Sequence, residues 1–339
     1  MPITDLNSAE GAEVIYGGSR PLSVNKRTGK VQIMTERGFV VNSLLSRDEW
    51  VDLDRAVIGA ALPMLRAIND LRAKGLVHPL GSLGSMISRW NTLSEVTAAN
   101  VNMTGQGGGS RDLPETIEKN VPVPVIFKEF MINKRELLAS RMMGDGLDVT
   151  AAAAVTRVVA EGANSLLING STIKLNGQAL YGYRTHPDRN TATATALGGG
   201  SWATIANIVP TVAGAINGLN ADNHYGPFMY YASTTQYNYA TLTYFADASG
   251  ETPYDRIIKM PQIAGFVMDP TLPDGEQLVI DMTKDVVDWA EPRDFAGIQV
   301  LEWASGDGLA STFKIMQVGA PRVKSHQDGK SGVMHVTGS

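Results

Sequence analysis

The side chains able to do chemistry in this chain of 339 residues stand apart from one another. Histidines occur at 78, 186, 224, 326 and 335. None has a second histidine or a carboxylate at a metal-ligand spacing such as the i, i+4 pair of a zinc-binding helix. A histidine standing alone is more often a packed or surface residue than a ligand. There is no cysteine, which removes thiolate nucleophiles, disulfides and cysteine zinc sites. Acidic clusters at Asp52/Asp54, Asp145/Asp148 and Asp281/Asp285/Asp288 could supply paired carboxylates for acid–base work. Helix caps and solvated faces explain them more simply. The glycine runs at 107–109 and 198–200 lack both the strand-then-helix setting and the Lys-Ser/Thr of a phosphate loop. "GSLGS" at 81–85 is not the Gly-x-Ser-x-Gly of a nucleophile elbow, and no EF-hand loop occurs. Aromatic and basic residues do not interleave as in a single-strand-binding platform. The expected sets of catalytic, cofactor-binding and metal-ligating residues are therefore empty.

The elements follow from the spacing of apolar residues. Residues 1–45 carry Gly-Gly, Gly-Ser and Arg-Pro breaks and no sustained period, which predicts an extended arm. Ser46 with Glu49 forms a capping box. It opens a helix whose stripe runs Trp50, Leu53, Val57, Ala61, Met64 or Leu65, Ile68 and Leu71, with a bend expected at Pro63. The polar stretch from Ser88 to Asn120, glycine-rich at its tip, cannot build a core and reads as a projecting two-stranded loop. Pro122 and Pro124 suit an edge strand. "DVTAAAAVTRVVAEGANSLLING" is a long thin helix, capped at Asp148 and stopped at Gly170. A second module follows. A helix runs from Trp202 to Leu219 with a kink expected at Pro210, and Phe228–Ala232 is a strand. Ser233 and Gln236 cap a further helix through about Phe245, and strands follow at Gly265–Met268 and Leu278–Met282. The tail reads as two strands around a Gly-Asp-Gly turn.

Hydrophobic residues at 43% and charged residues at 19% describe a folded chain with a substantial core, and the mixture of short strands and helices is α+β. A net charge of −5 argues against the strongly basic face of a nucleic-acid binder. Residues 20–47 are the local exception. Arg20, Lys26, Arg27, Lys30, Arg37 and Arg47 oppose only Glu36, for +5. Such a run is either a solvated or partner-facing arm or one lying near a polyanion. The start has no signal-peptide pattern and no run of eighteen apolar residues occurs, so cytoplasm-like conditions and no membrane are expected. The sequons at Asn102 and Asn169 read as accidental.

The order of parts, from "SRDEWVDLDRAVIGAA" through the projecting loop, "VPVIFKEFMINKREL" and the thin helix to "ALYGYRTHP", a separate module and "FKIMQVGAPRVKSH…SGVMHV", is itself a signal. It resembles the encapsulin-like branch of the tailed-bacteriophage major capsid proteins, which share the Hong Kong 97-type fold. The likeness runs from about Leu44 to Val336. It implies an N-terminal arm at 1–45, an N-terminal helix region at 46–85 and an extended loop at 86–120 lying over a neighbouring subunit. A peripheral domain would comprise 121–195 and 296–339, with spine helix 148–170, and an axial domain 196–295. It further implies inter-subunit roles for Arg89, Trp90, Arg111 and Lys119, a capsomer-axis loop at Ser249, Gly250 and Glu251, and an arm carrying Arg20, Lys26, Arg27, Lys30 and Arg37. The implied function is self-assembly into pentamers and hexamers of an icosahedral phage head around double-stranded DNA, in the virion, after assembly in the host cytoplasm. Partners would be other copies of the chain, a scaffolding protein, a portal, a decoration protein and packaged DNA held non-specifically; no cofactor is implied. Encapsulin nanocompartments are the alternative within the fold, but there the Trp-bearing helix lies close to the N-terminus, whereas here some 45 residues precede Ser46. A carboxylate-dependent hydrolase using Asp281, Asp285 or Asp288 is the alternative from another class.

Overall fold

Residues 12–46 form four strands, β1 (Ala12–Gly17), β2 (Arg20–Asn25), β3 (Lys30–Thr35) and β4 (Gly38–Ser46), paired in that order as an antiparallel meander. Their broken pattern predicts an extended arm; the backbone is extended, and its strands satisfy one another's backbone groups. The computed structural model describes residues 12–339 except 18–19, 26–29, 36–37, 95, 97–98, 100, 102, 104–112, 144–146, 176, 247–249, 305–309 and 327. At 12–44, 47, 93, 303 and 304 only the backbone is described.

Helix α1 (Arg47–Ala61) starts on the expected capping box. Ser46 Oγ accepts the Glu49 N–H at 3.4 Å, and Glu49 Oε2 accepts the Ser46 N–H at 2.7 Å. Pro63 does more than bend the chain. It lies in the break between α1 and α2 (Arg66–Ala73), because a residue without an N–H cannot continue the ladder. The apolar stripe survives the break: Trp50, Leu53, Val57, Ala61, Leu65, Ile68 and Leu71 are all buried. Strands β5 (Val77–Leu80), β6 (Ile87–Leu93), β7 (Thr116–Pro122) and β8 (Val125–Asn133) follow, then α3 (Lys134–Met143) and α4 (Thr150–Asn169).

Helix α4 begins two residues later than Asp148, with Val149 at the N-cap. Asp148 still satisfies one free donor, its Oδ1 accepting the Thr150 N–H at 2.9 Å. Ala152, Thr156, Val159, Ala160, Ala163 and Leu167 are buried against α1, α2, β8 and β17 (Ala310–Val318). Small residues let those neighbours approach closely. By length and composition the helix could cross a membrane, but half of its apolar window is buried inside the protein, as in a core helix. It ends at Gly170 (φ +73°). There a Cβ would lie 2.4 Å from the Gly182 nitrogen, and one on Gly182 would lie 2.3 Å from the Gly170 nitrogen. Only glycine fits this contact between two backbones.

The remaining elements are β9 (Gly170–Leu175), β10 (Gln178–Tyr181), β11 (Asn190–Thr193), α5 (Ile208–Ala221), β12 (Phe228–Ala232), α6 (Thr234–Leu242), α7 (Pro253–Ile258), β13 (Ile263–Met268), β14 (Gln277–Asp281), β15 (Val287–Pro292), β16 (Ile298–Ala304), β18 (Ala320–Val323) and β19 (Val333–Thr337). Trp202 and Ile205 precede α5 rather than belonging to it, and Pro210 falls in its first turn. No intrahelical bond is lost there, so no kink is required. Ser233 is the N-cap of α6 without a capping box, because its hydroxyl donates to Gln236 Oε1 instead of accepting a backbone N–H.

Two cores result. One gathers α2 and α4 with the three-stranded sheet β18-β15-β5 and strands of β16-β17-β8. The other gathers α5 and α7 with the five-stranded sheet β11-β19-β14-β12-β13, where Trp202, Tyr230 and Phe266 stack. Strands β11 and β19 lie outside the span 196–295 expected for the axial domain, yet they are hydrogen-bonded into its sheet. Boundaries at 195/196 and 295/296 follow chain order; the sheet does not.

Candidate assembly surfaces

The residues singled out for chemistry do not converge. Asp288 and Arg322 face each other across β15 and β18, and the guanidinium grips the carboxylate through two hydrogen bonds with both side chains almost wholly buried. Lys324 Nζ adds a second cation to Asp288 at 2.9 Å. Asp288 is thus neutralised within the chain. Asp281 and Asp285 line a cavity of about 530 Å³ with His224 and His326, and Asp281 Oδ2 lies 3.4 Å from His224 Nδ1. Among the described residues no group of three or more His, Asp or Glu could hold a metal ion. "GSLGS" is a turn closed by its own serines: Gly84 N donates to Ser82 Oγ at 3.3 Å and Ser82 N to Ser85 Oγ at 3.4 Å.

Three histidines instead affect stability. Burial lowers the pKa of His186 to about 4. Burial and the Arg322 charge lower that of His78. His335 is lowered by burial although its Nε2 meets Glu276 Oε2 at 2.9 Å. Below about pH 6.5 the unfolded chain binds protons that these folded histidines refuse, so stability falls as the pH falls. Urea melts of the purified chain are expected to lose about 2 kcal/mol from His186 between pH 7 and pH 5. An unchanged midpoint over that range would contradict the assigned burial.

Two paired strands flank the segment expected to project. Strands β6 and β7 pair antiparallel, with Ser88 opposite Val121 and Trp90 opposite Lys119. Alternation puts Ser88, Trp90, Thr92, Lys119 and Val121 on the face toward the body, where Ser88, Thr92 and Val121 are buried. Arg89 lies on the opposite face, exposed, with Glu118 Oε1 at 3.3 Å. Lys119 Nζ donates to Asp188 Oδ2 at 2.9 Å and to Ser325 Oγ at 3.0 Å. Burial raises the Asp188 pKa, but the Ser325 hydroxyl and the Lys119 ammonium outweigh it and hold the carboxyl below its usual range. On the other strand Ser88 Oγ accepts from Arg322 at 3.2 Å, and the Arg322 guanidinium lies 5.6 Å from the Trp90 ring centre. Within the chain, Lys119 is thus paired with Asp188 and Ser325, and Trp90 lies beside the Arg322 guanidinium. Arg111 lies outside the described residues. Past the root, Val96, Val101, Met103 and Leu113 are exposed, the last three by more than nine-tenths.

At the segment 249–251, expected near a capsomer axis, Gly250 has φ +63° and Ser249 lies outside the described residues. Glu251 is clasped by Arg256 at 3.1 Å and by Lys259, so its charge is used locally. Arg256 also stacks on Phe245 at 3.8 Å, and a Thr252/Asp255 capping box starts α7. Of the arm's basic residues, Arg20 and Lys30 fall in β2 and β3, with no side chain described, and Lys26, Arg27 and Arg37 lie outside the described residues.

The signals for the buried pair were in the sequence. A lone Asp inside apolar "VVDWAE" and a lone Arg inside "GAPRV" each need a partner if those runs are buried strands. Nothing in the sequence says that they face each other.

A family model described as a family of unknown function (DUF6260) matches residues 39–336. The type 1 encapsulin shell protein EncA of Myxococcus xanthus (strain DK1622) is 25% identical over 194 residues, which is 57% of this chain and 63% of that protein. The match therefore spans less than two thirds of that relative. Among solved structures, the virus-like particle from Pyrococcus furiosus aligns with a TM-score of 0.58 and 13% identity, covering 83% of this chain and 98% of that one. The capsid of Myoviridae phage XM1 aligns with a TM-score of 0.59 and 14% identity, covering 80% and 92%. At these identities the likeness speaks for the fold.

Proposed function

Because the chain belongs to the DUF6260 family of unknown function and has the Hong Kong 97-type fold of phage capsids and encapsulins, we propose that it is a structural shell protein and that its partners are first of all copies of itself. In the finer reading it forms the pentamers and hexamers of a tailed-phage head that encloses double-stranded DNA, and it works with a scaffolding protein, a portal and a decoration protein. Residues 1–45 act as an arm between subunits, 86–120 as the extended loop, 121–195 with 296–339 as the peripheral domain, and 196–295 as the axial domain around the capsomer axes. Residues 249–251 lie toward that axis, Arg89 and Arg111 toward a neighbour, and the arm's basic residues toward a neighbour or the packaged DNA. No catalytic step is proposed.

One observation carries this reading. Among the described residues, Val101, Met103 and Leu113 beyond the root of the loop are more than nine-tenths exposed. Lattice proteins cover such side chains through many modest contacts repeated between neighbours. The segment preceding Ser46 favours a phage head, whereas the sequence match to EncA favours the second reading, an encapsulin compartment.

The purified protein, 36.3 kDa per chain, is expected to give a megadalton species by light scattering and uniform closed shells in negative stain. Nuclease-protected DNA and tails identify a head; protein cargo without DNA identifies a compartment. A small oligomer under all assembly conditions would rule out both.

A further inference from the structure

From the polar cavity at the end of β14 we infer a binding site for a small organic cation that carries primary ammonium groups, such as an alkyl diamine. The site is built within one chain, so it stands apart from the shell reading and does not depend on it.

The cavity, about 530 Å³, has the size of pockets that take small molecules. Its walls come from β6, the turn after α5, the end of β14 and the segment after β18, so four distant parts of the chain meet there. Among the described residues that line it, Val286 is the only apolar one. Such a lining rewards a ligand that forms hydrogen bonds and leaves an apolar one without contacts.

The charges then select the sign. Lys324 is the only lysine or arginine among the described lining residues, and its ammonium is committed to Asp288 at 2.9 Å and to the Lys284 carbonyl. Asp281 and Asp285 are left without a lysine or arginine opposite them. Asp285 is exposed, but Asp281 is only 3% exposed. A carboxylate buried to that extent ordinarily has its oxygens occupied by N–H or O–H donors. Asp281 Oδ1 has no hydrogen-bond partner among the described residues. Its Oδ2 meets His224 Nδ1 at 3.4 Å, longer than a full N–H···O bond. His224, 8% exposed, leaves its own Nε2 unpartnered. This wall is therefore short both of donors and of positive charge. Water supplies donors; a cation with N–H groups supplies both.

Three kinds of cation could enter, and the lining separates them. A bare metal ion needs three or more convergent ligands, and no such group exists among the described residues. A quaternary ammonium is held by an aromatic cage, and no Phe, Tyr or Trp is among the lining residues. A primary ammonium brings three N–H donors on one compact charge. Asp281 and Asp285 offer it charged acceptors, and the Asn91 and Asn223 amides offer neutral ones. Two carboxylates favour two ammonium groups on one ligand, because the second binds as an intramolecular event once the first is held.

Calorimetric titration of the full chain with putrescine at fixed ionic strength tests the assignment. One saturable site per chain is expected. Asp281→Asn keeps the shape, removes the charge and is expected to weaken binding by about tenfold or more. Glu136→Gln, at an exposed carboxylate on α3, is expected to leave it unchanged. Asp285→Lys brings a tethered ammonium to the cavity and is expected to abolish binding. Its position is exposed, so it carries the test even if Asp281→Asn does not fold. Choline, which has no N–H donor, is expected to give no saturable heat. The inference is overturned by the absence of a saturable site for putrescine, which would leave water as the donor to Asp281. It is equally overturned by parental affinity in Asp285→Lys, by an equal loss in Glu136→Gln, by choline binding as well as putrescine, or by zinc ions displacing putrescine at equal concentration.

Discussion

Deleting residues 100–112 is expected to give a subunit that folds as before and never closes into a shell. Folding is spared because the deletion takes nothing from either core. Val101 and Met103 are fully exposed, and the root residues Ser88, Trp90, Thr92, Lys119 and Val121 all remain. The dissociated subunit should melt within about 2 °C of the parent, since a change well below 1 kcal/mol moves the midpoint of a chain this size by no more. Assembly is lost because in a closed lattice each subunit's hold is compounded from several weak contacts. Removing one from every copy lowers the joint affinity by orders of magnitude. Light scattering should show capsomer-sized species only. Particles of normal diameter from the deletion would show that the loop takes no part in closure.

The second large effect belongs to Arg322. Replacing it with methionine leaves the Asp288 carboxylate buried beside Lys324 alone and should cost about 3–5 kcal/mol in urea melts. Lys324 cannot take over the role, because it reaches only Asp288 Oδ2 and also donates to the Lys284 carbonyl. Replacing both partners, Arg322→Met with Asp288→Leu, is expected to recover most of the loss, since the cost comes from the orphaned charge and not from the absence of an ion pair. A single-variant loss below 1 kcal/mol would mean that water reaches the pair, contrary to its burial.

What the sequence made legible was local. The capping box at Ser46, the stripe from Trp50 to Leu71 and the strand Phe228–Ala232 are each specified by residues within a turn or two of one another. What it concealed depends on partners far along the chain. Lys119 meets Asp188 across 69 positions, and Asp288 meets Arg322 across 34. Periodicity reports that a face is buried but not what it is buried against. The meander β1–β4 escaped notice for a related reason: Gly-Gly, Gly-Ser and Arg-Pro breaks interrupt any alternation, and the pairing of its strands is with one another. The candidate surfaces were legible as segments, and the structure adds the partners that individual members have within the chain. Lys119, Trp90 and Glu251 are engaged within their own chain, while the exposed apolar positions past the root carry the signal for neighbours.

Strand β19 has a consequence for how the protein is made. It lies between β11 and β14, so a central position in the five-stranded sheet is filled by residues 333–337. Until Val333, Met334 and Val336 have left the ribosome, β14 lacks one of its two neighbours and β11 has no partner, and the sheet cannot close. A chain interrupted during translation would carry the projecting loop and the spine helix but no finished second module. The order of the strands in that sheet thus makes its closure depend on residues some fifty positions beyond β14, not on its own hairpins.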